Sequence, residues 1–187
     1  MTPYYQSCDY KAMSTPRPTG LGVPPLVVRR GEAELLGTGP NTISLLADVP
    51  ATGGALSATR TTLGKGQDGA VRHYHGTSAE AFFVLDGVLQ VLVGEDVVTA
   101  GEGDLLFVPP HTVHAFAAAP GSGADLLIAF IPGVERFGYF RLLDRVRNGD
   151  ATPEDLFAAQ ERYDNHFVDS TTWHNARQTK RLETTRA

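Results

Sequence analysis

Val71-Arg72-His73-Tyr74-His75-Gly76-Thr77-Ser78-Ala79-Glu80 is the stretch that decides the reading of this chain. Side chains alternate along a strand, so His73 and His75 present two imidazoles to one face while Tyr74 turns outward. Glu80 opens the next strand and can return its carboxylate to that face, with Phe82 and Val84 in the same parity. A second stretch, Gly103-Asp104-Leu105-Leu106-Phe107-Val108-Pro109-Pro110-His111-Thr112-Val113-His114, leads into a short strand that begins at His114 and carries Phe116 on the same side. Three imidazoles and a carboxylate around an apolar cavity suit a divalent transition metal. An isolated His-x-His is weak evidence; the whole spacing carries the inference.

Around these stretches the chain reads as short apolar runs broken by Gly, Pro and Asp. Strands are expected at Leu26–Arg30, Thr42–Ala47, Ala55–Leu63, Val71–His75, Glu80–Leu85, Val88–Val93, Asp96–Thr99, Leu105–Val108, Val113–Ala117 and Asp125–Ile131. Their Val, Leu, Phe and Thr suit a pleated surface. Asp86-Gly87 reads as a tight hairpin turn, and Gly94-Glu95-Asp96 as another. Many short strands at this spacing mean a sandwich or barrel. Beyond Gly133 the period changes. Phe137, Phe140, Leu143 and Val146 recur at three- and four-residue intervals, the face of a helix over Glu135–Arg147. Thr152-Pro153-Glu154-Asp155 announces a second helix, to about Tyr163. The tail from Asp164 has no clear period, and its polar end is expected to fray.

The 187 residues are 42% hydrophobic and 20% charged, which supports a core and excludes a mostly disordered chain. Apolar runs are too short to cross a bilayer, so no membrane partner is expected. A net charge of -5 disfavours nucleic acid as a partner. The single cysteine, Cys8, forms no internal disulfide. Residues 1–25 carry five prolines and no apolar segment of the signal-peptide kind, and read as an extended arm. A cytoplasmic location is expected. The expected organisation is an arm over residues 1–25, a barrel over 26–133, and C-terminal helices with a tail over 134–187.

His73-x-His75, Glu80 and Gly87 resemble the first motif of the cupin superfamily, and Gly103, Pro109 and His114 its second. The resemblance implies an all-β fold, the double-stranded β-helix or jelly-roll barrel, with a C-terminal helical extension. It implies that His73, His75, Glu80 and His114 hold one divalent metal ion per chain (Ni, Mn, Fe, Co, Cu or Zn). The chain departs from the pattern at Gln67, at Pro110-His111 after Pro109, and at Ala118; none of these removes a ligand. Glu135-Arg136-Phe137, Arg162-Tyr163-Asp164-Asn165-His166-Phe167 and Trp173-His174 are similar to single-domain bacterial quercetin 2,3-dioxygenases. That narrower resemblance implies a dioxygenase that opens a flavonol-like or other enolic aromatic substrate with O2, with Glu80 taking the enol proton. The same site chemistry serves a cyclase or isomerase acting on an aromatic polyketide-type precursor, another oxygenase, or a non-catalytic small-molecule binder. A homodimer is expected by the same analogy.

The substrate pocket is expected to draw on Phe82, Val84, Leu92, Leu106, Phe116, Ile128, Phe130, Phe137 and Phe140, the last two belonging first to a buried helix face. His111 reads as a rim residue or a proton carrier, and His166 and His174 as solvated or packing residues. Trp173 and Phe167 either cap the barrel mouth or pack on the outer sheet. Gly64-Lys65-Gly66-Gln67-Asp68-Gly69 matches a dinucleotide fingerprint by letters, but it precedes a strand rather than a helix and reads as a turn.

Overall fold

A computed structural model describes residues 22–29, 31–169 and 171–184, with backbone alone for 178–184. The expected arm therefore lies, up to residue 21, outside the described residues. The chain runs β1 (Glu34–Thr38), β2 (Asn41–Ala47), α1 (Val49–Thr52), β3 (Ser57–Leu63), β4 (His73–Tyr74), β5 (Ala79–Val93), β6 (Asp96–Gly101), β7 (Leu105–Val108), β8 (His114–Ala118), β9 (Ala124–Ile131), α2 (Phe137–Arg147), α3 (Pro153–Ala158), α4 (Gln160–Tyr163), β10 (His166–Phe167) and α5 (Thr171–Thr184). This is the expected all-β barrel followed by a C-terminal helical region.

The strands pair in the order β1-β2-β3-β9-β5-β8-β4-β10, with β6 and β7 also on β5. All these pairings are antiparallel, and β5 joins the two halves of the barrel. Its first half, from Ala79, lies between β9 and β7; its second half, from Val88, lies between β6 and β8. The inward faces meet in one core, where Phe82, Val84, Leu89, Val91 and Leu126 are completely buried.

The hairpin expected at Asp86-Gly87 does not form. β5 passes straight through it, and its register against β9 slips between Val84 and Asp86. Gly87 has φ +79°, and a Cβ there would lie 2.1 Å from the carbonyl oxygen of Gly123. Positive φ here makes a bulge that bends a continuous strand instead of reversing it. The bulge also changes the inward parity from Phe82 and Val84 to Leu89 and Val91. The turn expected at Gly94-Glu95-Asp96 does form, with Val93 opposite Asp96.

Four further expectations need correction. Residues 26–29 form no strand, because none of the described strands pairs with them. β1 appears between Arg30 and Thr42, where no strand was expected; its Gly37 amide is held by Asp144 Oδ1 of α2 at 3.0 Å. The second helix divides into α3 and α4 at Ala159, although its Thr152 start stands, with the Thr152 amide donating to Asp155 Oδ2 at 2.8 Å. The aperiodic tail forms β10 and α5.

α5 packs on the outside of the barrel. Trp173 covers Leu92, Ala115 and Ala117, and Arg177 donates to Asp68 Oδ1 at 2.8 Å, Gln90 Oε1 at 3.0 Å and the Gly66 carbonyl at 2.7 Å. At the other end α2 starts against Asp48, whose carboxylate accepts from the Arg136 amide at 3.1 Å and the Phe137 amide at 3.0 Å. This remote carboxylate satisfies two of the free N–H groups at the helix start.

Candidate metal centre

Three strands bring the four candidate ligands together inside the barrel. β4 carries His73, with His75 just beyond its end; β8 begins at His114, which stands opposite His73 across the ladder. Glu80 is the second residue of β5. All four are buried, between 1% and 3% exposed, and their ligand atoms lie within 4.8 Å of one another. Glu80 Oε2 lies 2.7 Å from His114 Nε2, 3.1 Å from His75 Nε2 and 3.9 Å from His73 Nε2.

The outward ring nitrogens set the chemistry of the inward ones. Nδ1 of His73 donates to the Val71 carbonyl at 2.7 Å, Nδ1 of His114 to the Thr112 carbonyl at 2.8 Å, and Nδ1 of His75 to the Asp164 carbonyl. A neutral imidazole that donates from Nδ1 has a lone pair on Nε2. Three lone pairs and a carboxylate then converge on one point. Such a set is repulsive unless a cation sits among it, and carbonyl-anchored imidazoles of this kind are how proteins hold metal ligands. The residues present therefore fit a divalent ion. Burial pushes His73 well below the ordinary imidazole range, with His114 and His75 adding to the effect, which favours the neutral ligand form.

A cavity of about 1060 Å³ opens onto His73 and Glu80. Of the expected pocket residues, Phe116, Ile128, Phe130 and Phe140 line it. Phe82 and Val84 lie beneath it in the core, and Leu106 and Phe137 pack against that core. Leu92 is not in the cavity; the bulge at Gly87 turns it to the outer face, under Trp173. Phe167 lines the cavity, whereas Trp173 packs on the outer sheet. Gly64–Gly69 forms the turn region before β4, where a Cβ on Gly69 would strike the Phe116 ring at 2.3 Å.

His111 is an exposed rim residue with φ +62°, and its amide donates to the His75 carbonyl at 2.7 Å. His166 stacks on Tyr74 at 4.9 Å, and His174 is exposed on α5. Sequence reasoning assigned no role to Arg136, Asp164 or Asn165. Besides holding His75, Asp164 accepts from the amides of Gly76, Thr77 and Ser78 through its carboxylate. Its φ of +49° is one that Asp tolerates, so the Asp-Asn pair was a readable turn signal. Arg136, only 2% exposed, was readable locally only as a charge beside an apolar helical stripe.

Residues 59–131 match the family model described as the cupin domain. Over 95 residues the chain is 32% identical to quercetin 2,3-dioxygenase of Bacillus subtilis, a match covering 51% of this chain and 28% of that protein. The chain thus spans little more than a quarter of that relative. Among solved structures, an RmlC-like cupin from Shewanella frigidimarina is 27% identical, with TM-score 0.49 and coverage of 58% of this chain and 93% of that one. The polyketide cyclase RemF from Streptomyces resistomycificus is 19% identical, with TM-score 0.48 and coverage of 57% and 78%.

Proposed function

We propose that this chain, whose residues 59–131 match the cupin domain, is a metal-dependent dioxygenase that opens an enolic aromatic molecule of the flavonol type with O2. The observation that carries the reading is the buried His73, His75, Glu80 and His114 cluster at a cavity whose wall includes Phe116, Ile128 and Phe130. The similarity to a quercetin 2,3-dioxygenase over half of this chain supports the choice of reaction. The cavity of about 1060 Å³ has room for a three-ring planar molecule.

A bound divalent ion supplies Lewis-acid stabilisation of an enolate oxygen. The protein supplies the rest. The Phe116, Ile128 and Phe130 side chains give a flat substrate an apolar wall and exclude water from it. Glu80 sits where it can take the enol proton, since a carboxylate has two oxygens and its basicity responds to burial and neighbouring charge. The three carbonyl-anchored imidazoles keep their lone pairs directed inward and cannot accept that proton without losing their ligand form.

The test is elemental analysis of the purified protein together with aerobic assay on quercetin. Stoichiometric metal with O2 uptake and carbon monoxide release supports the reading. Conversion of an enolic polyketide-type substrate without O2 uptake overturns it in favour of a cyclase or isomerase. Tight flavonol binding without turnover overturns it in favour of a binding protein.

A further inference from the structure

The cavity wall carries a buried positive charge. Arg136 lines the cavity with Asn165, and its guanidinium lies 4.2 Å from the centroid of Phe130, 4.7 Å from Tyr139 and 5.4 Å from Phe140. Nη1 donates to the Tyr163 carbonyl at 2.8 Å, and Nη2 reaches Asn165 Oδ1 at 3.4 Å. Both acceptors are neutral, and among the described residues no ion pair involves this guanidinium. Nε of Arg136 and Nδ2 of Asn165 are buried donors with no acceptor among the described residues.

The nearby acids are engaged elsewhere. Asp48 holds the backbone amides of Arg136 and Phe137, Asp164 those of Gly76, Thr77 and Ser78, and Glu80 faces the imidazoles. A divalent ion among three neutral imidazoles and one carboxylate leaves a net positive charge, and Arg136 adds a second. Burying such charge without a partner is costly. The Phe130 ring also stands edge-on to His75 at 5.3 Å, so the guanidinium is one aromatic ring away from a candidate ligand.

We propose that Arg136, seconded by Asn165, determines the specificity of this cavity by receiving a carboxylate or comparable oxyanion of the substrate at one ring's width from the metal-binding cluster. The substrate class is then an aromatic acid or oxyanion with an enol at one end and a second negative oxygen at the other. The long Asn165 contact is the one that opens: turning that amide frees Nη2 and points Nδ2 at the incoming oxygen. The placing of the enol at the metal rests on the proposed function; the oxyanion site does not.

Naphthalene-2-carboxylate and its uncharged carboxamide are the probes, titrated calorimetrically into the purified metal-containing protein. The wild type is expected to bind the carboxylate about tenfold more tightly than the amide. Arg136→Met should bring the two affinities together while leaving amide binding in place. Asn165→Asp keeps the arginine but supplies its counter-charge, and it too should erase the preference. The metal is common to all three proteins, so the drop in preference from wild type to variant reads Arg136 and not the metal's own pull on the anion. Equal binding of both probes by the wild type, or a preference undiminished in either variant, overturns the proposal. A preserved preference without O2 uptake on any enol overturns the dioxygenase reading alone; turnover of quercetin without the preference overturns the Arg136 role alone.

Discussion

The carbonyl of Asp164 accepts a hydrogen bond from Nδ1 of His75, so a residue 89 positions downstream sets the tautomer of a candidate metal ligand. The same residue ties down the backbone just after that ligand, through three amide bonds to its carboxylate. The C-terminal segment is therefore part of the centre's construction, although it supplies none of the four ligand atoms.

Replacing Asp164 with Ala should leave the amides of Gly76, Thr77 and Ser78 without their acceptor. A loss of about 10–100-fold in metal affinity is expected, the usual size for removing a group that orients a ligand. Competition with a chelator of known affinity measures it. Wild-type affinity in the variant would remove Asp164 from the construction of the site.

Asp164 also implies a pH dependence of stability. Burial would raise its carboxyl, but the three amides outweigh burial and hold it below the ordinary range. A lowered native value stabilises the fold above the unfolded carboxyl pKa of about 3.9, and that contribution disappears as pH falls through the native value. Asp164→Asn should therefore flatten the acid limb of a stability-against-pH curve and change its slope little near neutrality. An unchanged acid limb would contradict the assignment.

Glu80→Gln should lower turnover by about 10²–10⁴-fold, the usual cost of losing a general base. His73→Ala should lose the metal as well as the activity. Steady-state rates paired with metal content per chain separate the two effects. A Glu80→Gln variant with wild-type rate and full metal would eliminate the proton-transfer role.

Trp173 packs on the outer sheet, so its removal should affect stability and spare the substrate. Trp173→Ala is expected to cost about 3–5 kcal/mol in denaturant unfolding, with KM and metal content unchanged. A raised KM with little loss of stability would instead place the indole at the barrel mouth.

Gly87→Ala should destabilise the fold by more than about 1 kcal/mol, because φ is positive and the new Cβ meets a backbone oxygen. Urea unfolding reads this directly. A neutral result would mean that β5 does not bend there as described.

Strand parity is local, so it placed His73 and His75 on one face and allowed Glu80 to join them; that these three and His114 form one candidate ligand set came from the resemblance to the two cupin motifs. The helical stripe of α2 and the threonine start of α3 were legible for the same reason: caps and periods act within a few residues. What escaped was decided by partners far along the chain. Asp86-Gly87 has the composition of a hairpin, and only the carbonyl of Gly123 pressed against Gly87 makes it a bulge in a continuous strand. That bulge reverses the parity beyond it, which is why Leu92 lies under Trp173 and not in the cavity. α5 shows little apolar period because it docks through one indole and the polar bonds of Arg177. Arg136, Asp164 and Asn165 take their roles from the carbonyls, amides and rings that they meet across the barrel, and no local pattern encodes a meeting between segments that touch only after the chain has folded.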